Sequence, residues 1–283
     1  MKTRILPMFA LLLALIACKK EEPAPALPSL IVEGWIESGG HPVVQLSESF
    51  PVQEGNAITM ENIIGRIAKW AKVTVSDGEN EVILTGKTDM RYFPPYVYST
   101  DKITGEAGRS YTLRVDYKDY HATGTTTIPE PVPIDTLYVK EAADSLCTVI
   151  CGFTDPPGKG NYYKIFTKTT DIDSHYIPSV LAAASDENVD GYTEIPLFSS
   201  LRSDEAVFFP NLRVGEELWV KLCTVGKDGF DFWNSYEMML AGNMGIANSK
   251  RYSSGNMLLG ASGYWIGYGV AEEKSLNLTE PEK

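Results

Sequence analysis

The sequence predicts an all-β protein: two β-sandwich domains of the immunoglobulin-like or fibronectin-like kind, with one short C-terminal helix. Three observations carry this expectation. Short runs rich in Val, Ile, Thr and Tyr recur along the 283 residues, many of them separated by turns such as Asp77-Gly78 and Lys118-Asp119. Three prolines in five residues, Pro129-Glu130-Pro131-Val132-Pro133, interrupt the strands in mid-chain. Only Phe230 to Leu240 repeats its apolar residues at helical spacing.

The chain opens with Lys2 and Arg4, followed by an apolar run from Ile5 to Ala17. As a helix those thirteen residues reach about 20 Å, short of a hydrocarbon core of about 30 Å. Residues 1–17 therefore read as a signal peptide and not as a membrane span. Leu15-Ile16-Ala17-Cys18 resembles the lipobox of bacterial lipoproteins, which implies cleavage before Cys18 and lipidation of its thiol. Residues 18–28 then form a tether, stiffened by Pro23, Pro25 and Pro28. Its Lys20-Glu21-Glu22 resembles the surface-export signal of Bacteroidetes lipoproteins.

The first sandwich is expected over 29–129. Ser29 to Glu37 and Val43 to Leu46 form a hairpin around Gly39-Gly40-His41-Pro42. Ala71 to Ser76, Glu81 to Thr85, Ser110 to Tyr117 and Tyr120 to Ile128 follow as strands, and a helical turn is expected within Ala57 to Trp70. Residues 130–134 form the proline-rich linker. The C-terminal domain, 135–283, begins with strands at Thr136 to Lys140 and Leu146 to Phe153 and continues with Asn161 to Thr167. Further strands are expected at Thr193 to Phe198, Ala206 to Phe209 and Glu217 to Val225. Phe232, Tyr236 and Leu240 place an amphipathic helix near 230–240, stopped by Gly242 and Gly245.

Net charge is −12, and becomes −14 once Lys2 and Arg4 leave with the signal peptide. Such a chain repels polyphosphate, so nucleic acid is not an expected partner. Cys147 and Cys151 share one strand face about 13 Å apart, too far for a mutual disulfide, which needs Cα atoms within about 7 Å. Cys223 could bridge to one of them. Buried small hydrophobes are the reading of these thiols, and no metal-ligand spacing appears. His41, His121 and His175 have no nucleophile beside them in sequence, and the local signatures of hydrolases, zinc proteases and nucleotide loops are absent. No catalytic residue, cofactor or metal is expected, and the chain reads as a non-enzyme.

Asp186-Glu187-Asn188-Val189-Asp190-Gly191 matches the first half of a calcium loop, but the twelfth position is Leu197 instead of a bidentate glutamate. An acidic turn into a strand is the expectation there. Two aromatic clusters, Tyr92 to Tyr98 and Tyr264 to Tyr268, read either as strand faces against a core or as exposed rings for stacking.

Five segments, in order, resemble a known family. They are Ile31 to Ile36 with Pro42 to Ser47, Ala71 to Gly78, Tyr111 to Val115, Ile128 to Leu137, and Phe153 to Gly158 with Asn161-Tyr162-Tyr163. Together they are similar to the Bacteroidetes lipoproteins of domain of unknown function 4249. The resemblance implies an outer-membrane lipoprotein often encoded beside a TonB-dependent receptor, with no established activity. The function expected on that basis is an accessory or ligand-capture component of nutrient uptake. The alternative is a glycan-binding or adhesive surface lipoprotein that acts without a transporter.

Overall fold

The structure is a computed structural model that describes residues 29–49, 59–143, 145–187, 191–197, 212–243 and 258–279. The expected signal peptide, Cys18, the expected tether and the strand expected at 206–209 lie outside the described residues.

The first half contributes β1 (Leu30–Glu37), β2 (Val43–Glu48), α1 (Met60–Ile64), β3 (Lys72–Ser76), β4 (Glu81–Ile83) and β5 (Thr85–Lys87). It ends with β6 (Val97–Ser99), β7 (Ser110–Tyr117) and β8 (Tyr120–Thr127). The second half contributes β9 (Thr136–Ala143), β10 (Leu146–Thr154), β11 (Tyr162–Thr169), β12 (Ile177–Ser185) and β13 (Tyr192–Leu197). It closes with β14 (Leu212–Arg213), β15 (Glu217–Val225), α2 (Lys227–Asn243) and β16 (Ser262–Asn277).

The fold is all-β, and its organiser is one eight-stranded sheet in the order β12-β11-β15-β16-β1-β2-β6-β5. A four-stranded sheet, β4-β3-β7-β8, covers one half of it. Between them lies a core of Leu30, Val32, Ile36, Leu113, Val115 and Trp265, all at most 1 % exposed. The remaining strands, β13-β10-β14 with β9 paired to β10, cover the other half over Val149, Phe153, Ile165, Val220 and Leu222. Two sandwich layers thus stand side by side on a shared sheet.

That sharing comes from the last strand. β16 pairs in parallel with β1 and antiparallel with β15, so the last described strand enters the sheet beside the first. The sheet is therefore continuous across the boundary expected at 130–134. The proline-rich segment lies against this sheet: the Thr224 hydroxyl donates to the Glu130 carbonyl at 2.9 Å, and Val132 and Ile134 enter the second core. Glycine in β16 makes the approach possible. A Cβ on Gly267 would lie 2.8 Å from the Thr127 carbonyl, and one on Gly269 would meet the Pro129 carbonyl.

The helix expected near 230–240 runs from 227 to 243 and packs on the outer face of the shared sheet, away from both sandwich layers. Phe232 and Trp233 bury against Cys223, Val225, Ile266 and Tyr268. Beneath them Lys164, 1 % exposed, donates to the Ser179 carbonyl at 2.7 Å and to Glu237 of the helix. Glu237 also accepts from the backbone N–H groups of Ala182 at 3.0 Å and Ala183 at 3.3 Å. This buried ion pair joins α2 to β11 and β12. Burial pulls the Lys164 ammonium below its ordinary pKa, with Glu237 opposing the shift.

Candidate functional site

Strand alternation produces the site. On β1, Leu30, Val32 and Ile36 point into the first core, so Glu33, Trp35 and Glu37 take the opposite face. The same alternation on β16 sends Trp265 into the core and Tyr264 and Tyr268 outward. Helix α2 covers only part of this outer face. Beside it remains a cleft of about 700 Å³, floored by β1, β2, β11, β15 and β16.

One wall is the aromatic edge of α2. Phe232 and Tyr264 approach to 4.5 Å between ring centroids, and Trp233 and Tyr264 to 6.0 Å. Phe166 of β11 meets Trp233 and Tyr268 edge-on at 5.6 and 5.3 Å. The Trp233 indole N–H donates to the Tyr268 hydroxyl at 3.0 Å, which fixes both rings.

The opposite wall is made by two loops. Tyr92 lies between Trp35 and His175, at 5.7 and 5.2 Å, and Phe93 beside it is 47 % exposed. The Ser174 hydroxyl donates to the Arg91 carbonyl at 2.9 Å and joins the loops. Gln45 on β2 donates to the Pro94 carbonyl at 2.8 Å and holds the first loop to the sheet. Arg91 makes a two-pronged pair with Asp89 at 2.6 and 3.0 Å, holding that carboxyl down to about 2 through charged hydrogen bonds. Burial depresses the pKa of His175.

The floor carries charge. Lys221 bonds Glu37 at 2.7 Å and lies over the Tyr176 ring at 4.5 Å. The Tyr176 hydroxyl donates to Glu273. Glu33 has no hydrogen-bond or ion-pair partner among the described residues, and burial raises its pKa. The cleft therefore combines stacking surfaces, a compensated ion pair and one free carboxylate.

The structure brings together parts that the sequence left separate. Tyr92 and Phe93 from one aromatic cluster meet Tyr264 and Tyr268 from the other in this cleft. Tyr98 and Trp265 turn instead into the first core. His41 and His175 both line the cleft, with His41 Nδ1 2.9 Å from the Ile103 carbonyl. His121 lies elsewhere, 2.7 Å from Asp116. Trp35, Phe166, Lys221 and Glu33 sit in ordinary strand runs of the sequence, and nothing local marks them. Cys147, Cys151 and Cys223 are all buried and free, so no disulfide forms with Cys223. Burial pushes the Cys151 thiol up to about 12. Among the described residues no group of three or more His, Cys, Asp or Glu side chains is arranged to hold a metal. None of their helices is long and apolar enough to cross a membrane.

Fold and site together define an all-β protein with a partly roofed aromatic cleft on the free face of its shared sheet. The chain belongs to the family named domain of unknown function DUF4249, which it matches over residues 20–274. No curated protein matches it. Among solved structures it is similar to a cytokine receptor complex at 6 % identity and TM-score 0.26, covering 89 % of this chain and 97 % of that one. A two-domain fibronectin type III segment of chicken tenascin matches at 13 % identity and TM-score 0.21, covering 70 % and 90 %. The FN1–FN3 domains of chicken CNTN1 match at 11 % and 0.25, covering 91 % and 68 %.

Proposed function

We propose that this chain is a non-catalytic lipoprotein, anchored through acylated Cys18 to the outer membrane and facing the cell surface. In this reading it captures a ligand in the aromatic cleft and serves a TonB-dependent receptor in nutrient uptake. The observation that carries it is the convergence of Trp35, Tyr92, Phe166 and Tyr264 on one open cleft beside α2. Such rings supply large stacking area at little entropic cost. The anchor rests on the Leu15 to Cys18 pattern, and the receptor and the Bacteroidetes outer-membrane setting rest on the family resemblance.

The floor supports capture over catalysis. The common route to hydrolysis of a glycosidic bond uses two cooperating carboxyl groups. Here Glu37 is engaged by Lys221 and Glu273 by Tyr176, which leaves Glu33 free. The glycan-binding alternative is favoured by the exposure of Phe93 next to Tyr92 at the cleft mouth.

The test is affinity purification of the native lipidated chain from detergent-solubilised outer membrane, beside a Trp35→Ala/Tyr264→Ala variant. Capture for uptake requires a large β-barrel receptor to co-purify, and the variant to lose ligand without losing anchoring. A glycan array bound through the cleft with no receptor recovered would establish the alternative. Recovery of neither partner nor ligand would end both readings.

A further inference from the structure

At the far end of the second sandwich layer, two buried carboxylates each leave one oxygen without a partner. Asp155 directly follows β10 and is 3 % exposed; Asp186 directly follows β12 and is 2 % exposed. Each uses one carboxylate oxygen. Asp155 Oδ1 accepts from the Tyr163 hydroxyl, and Asp186 Oδ1 accepts from the Gly160 N–H at 3.1 Å. The second oxygen of each, Oδ2, is fully enclosed and has no hydrogen-bond partner. The nearby Lys159 ammonium does not pair with either carboxylate; it donates to the Asp186 backbone carbonyl at 2.6 Å.

Both acids bear on one hydroxyl. Burial raises the pKa of the Tyr163 hydroxyl far above its usual range, and the charges of Asp155 and then Asp186 add to it. Backbone bonds close the same corner: Asp155 N–H donates to Gly191 at 3.0 Å, and Asp186 N–H donates to Asn161 at 3.1 Å. A buried carboxylate oxygen without a partner is costly. Conventional protein partners resolve such a cost with an arginine or lysine contact, and neither Oδ2 has one.

We infer that Asp155 and Asp186 form a calcium site, in which the ion takes the two orphaned Oδ2 atoms as its anionic ligands. Calcium accepts six to eight oxygens in flexible geometry, so carbonyl groups and water complete the shell around two carboxylates. Magnesium demands a rigid octahedron and keeps its own water, which fits an enclosed corner poorly. Asp186 opens the loop whose first half matches a calcium loop and whose glutamate at position twelve is replaced by Leu197. In space the second acid comes from the end of a different strand. Bound calcium would tie β10 to β12, and so one sandwich layer to the shared sheet. Two carboxylates place the affinity in the weak range of extracellular modules, about 10⁻⁴ to 10⁻³ M.

Thermal unfolding of the full mature chain, in EDTA and across a calcium chloride titration, tests this. At about tenfold excess over Kd the folding equilibrium shifts about 11-fold, which raises Tm by about 3 to 6 °C. Asp155→Asn and Asp186→Asn should each abolish that rise, and in EDTA Asp155→Asn should match or exceed the parent because a buried charge is gone. Terbium luminescence sensitised by Tyr163, and displaced by calcium but not by magnesium, reads the same site in the unaltered chain. An unchanged Tm in about 10 mM calcium, an equal response to magnesium, or a response retained in both variants would overturn the assignment.

Discussion

The two faces of the shared sheet use the same strands and end in opposite states. On the inner face Val32, Ile36 and Trp265 are sealed between sheets, and Trp265 Nε1 donates to the Tyr111 carbonyl at 2.9 Å. On the outer face their alternate neighbours Glu33, Trp35 and Tyr264 remain partly open. The inner face is covered along its length by two smaller sheets, whereas the outer face has one helix of 17 residues. Period-two alternation is identical on both sides; only the amount of cover differs. An open cleft here needs no separate domain. It is what remains of a sheet face when the cover is shorter than the sheet.

The sealed inner face is the more sensitive of the two. Trp265→Ala should cost about 3–5 kcal/mol, because the indole is fully buried and its pocket is lined by both sheets. Urea unfolding would show this as a lower midpoint for the whole chain. Next is the polar clamp beneath α2. Glu237→Ala strands the Lys164 ammonium and should cost about 3 kcal/mol, with much of the loss recovered in Lys164→Met/Glu237→Leu. Hydrogen exchange should place the early loss in α2 and leave β1 and β7 protected. If Glu237→Ala exposes β7 as readily as α2, the two faces are one cooperative unit and the contrast fails.

The smallest effect is at the cleft mouth. Burial holds the folded pKa of His175 below 6.5, so the folded state carries less of this proton than the unfolded chain. Its contribution is constant above pH 6.5 and is lost as pH falls from 6.5 through the folded value. Tyr92 connects His175 to Trp35, so indole fluorescence should report a step in that window and His175→Phe should remove it. A step unchanged by the substitution would assign it to another group.

Much of the fold was legible from local chemistry. β1, β7, β8 and β15 fall close to where strand-forming runs and turn residues put them, because β-branched, aromatic and other apolar residues recur along each between local turn signals. β16 was not legible. Gly263, Gly267 and Gly269 give it the look of a loop, yet each of them admits neighbouring backbone against the strand. β12 was hidden for a related reason, since its Ala182-Ala183-Ala184 run gives no period of two. The candidate cleft was half legible. Both aromatic clusters were visible as clusters, but Trp35, Phe166 and Lys221 lie far apart in sequence and share a surface only because β1, β16, β15 and β11 are neighbours.

What the sequence by itself determined was the all-β class, the position of the helix, the acidic charge and the family, since these depend on residue type and on spacing within a few positions. Tertiary structure decided that two sandwich layers share one sheet, that one face of it stays open, and that the charges of Asp155 and Asp186 both bear on the Tyr163 hydroxyl. Each of these depends on strand order and register. Those are set by the parallel pairing of β1 with β16, across more than two hundred residues that local spacing does not relate.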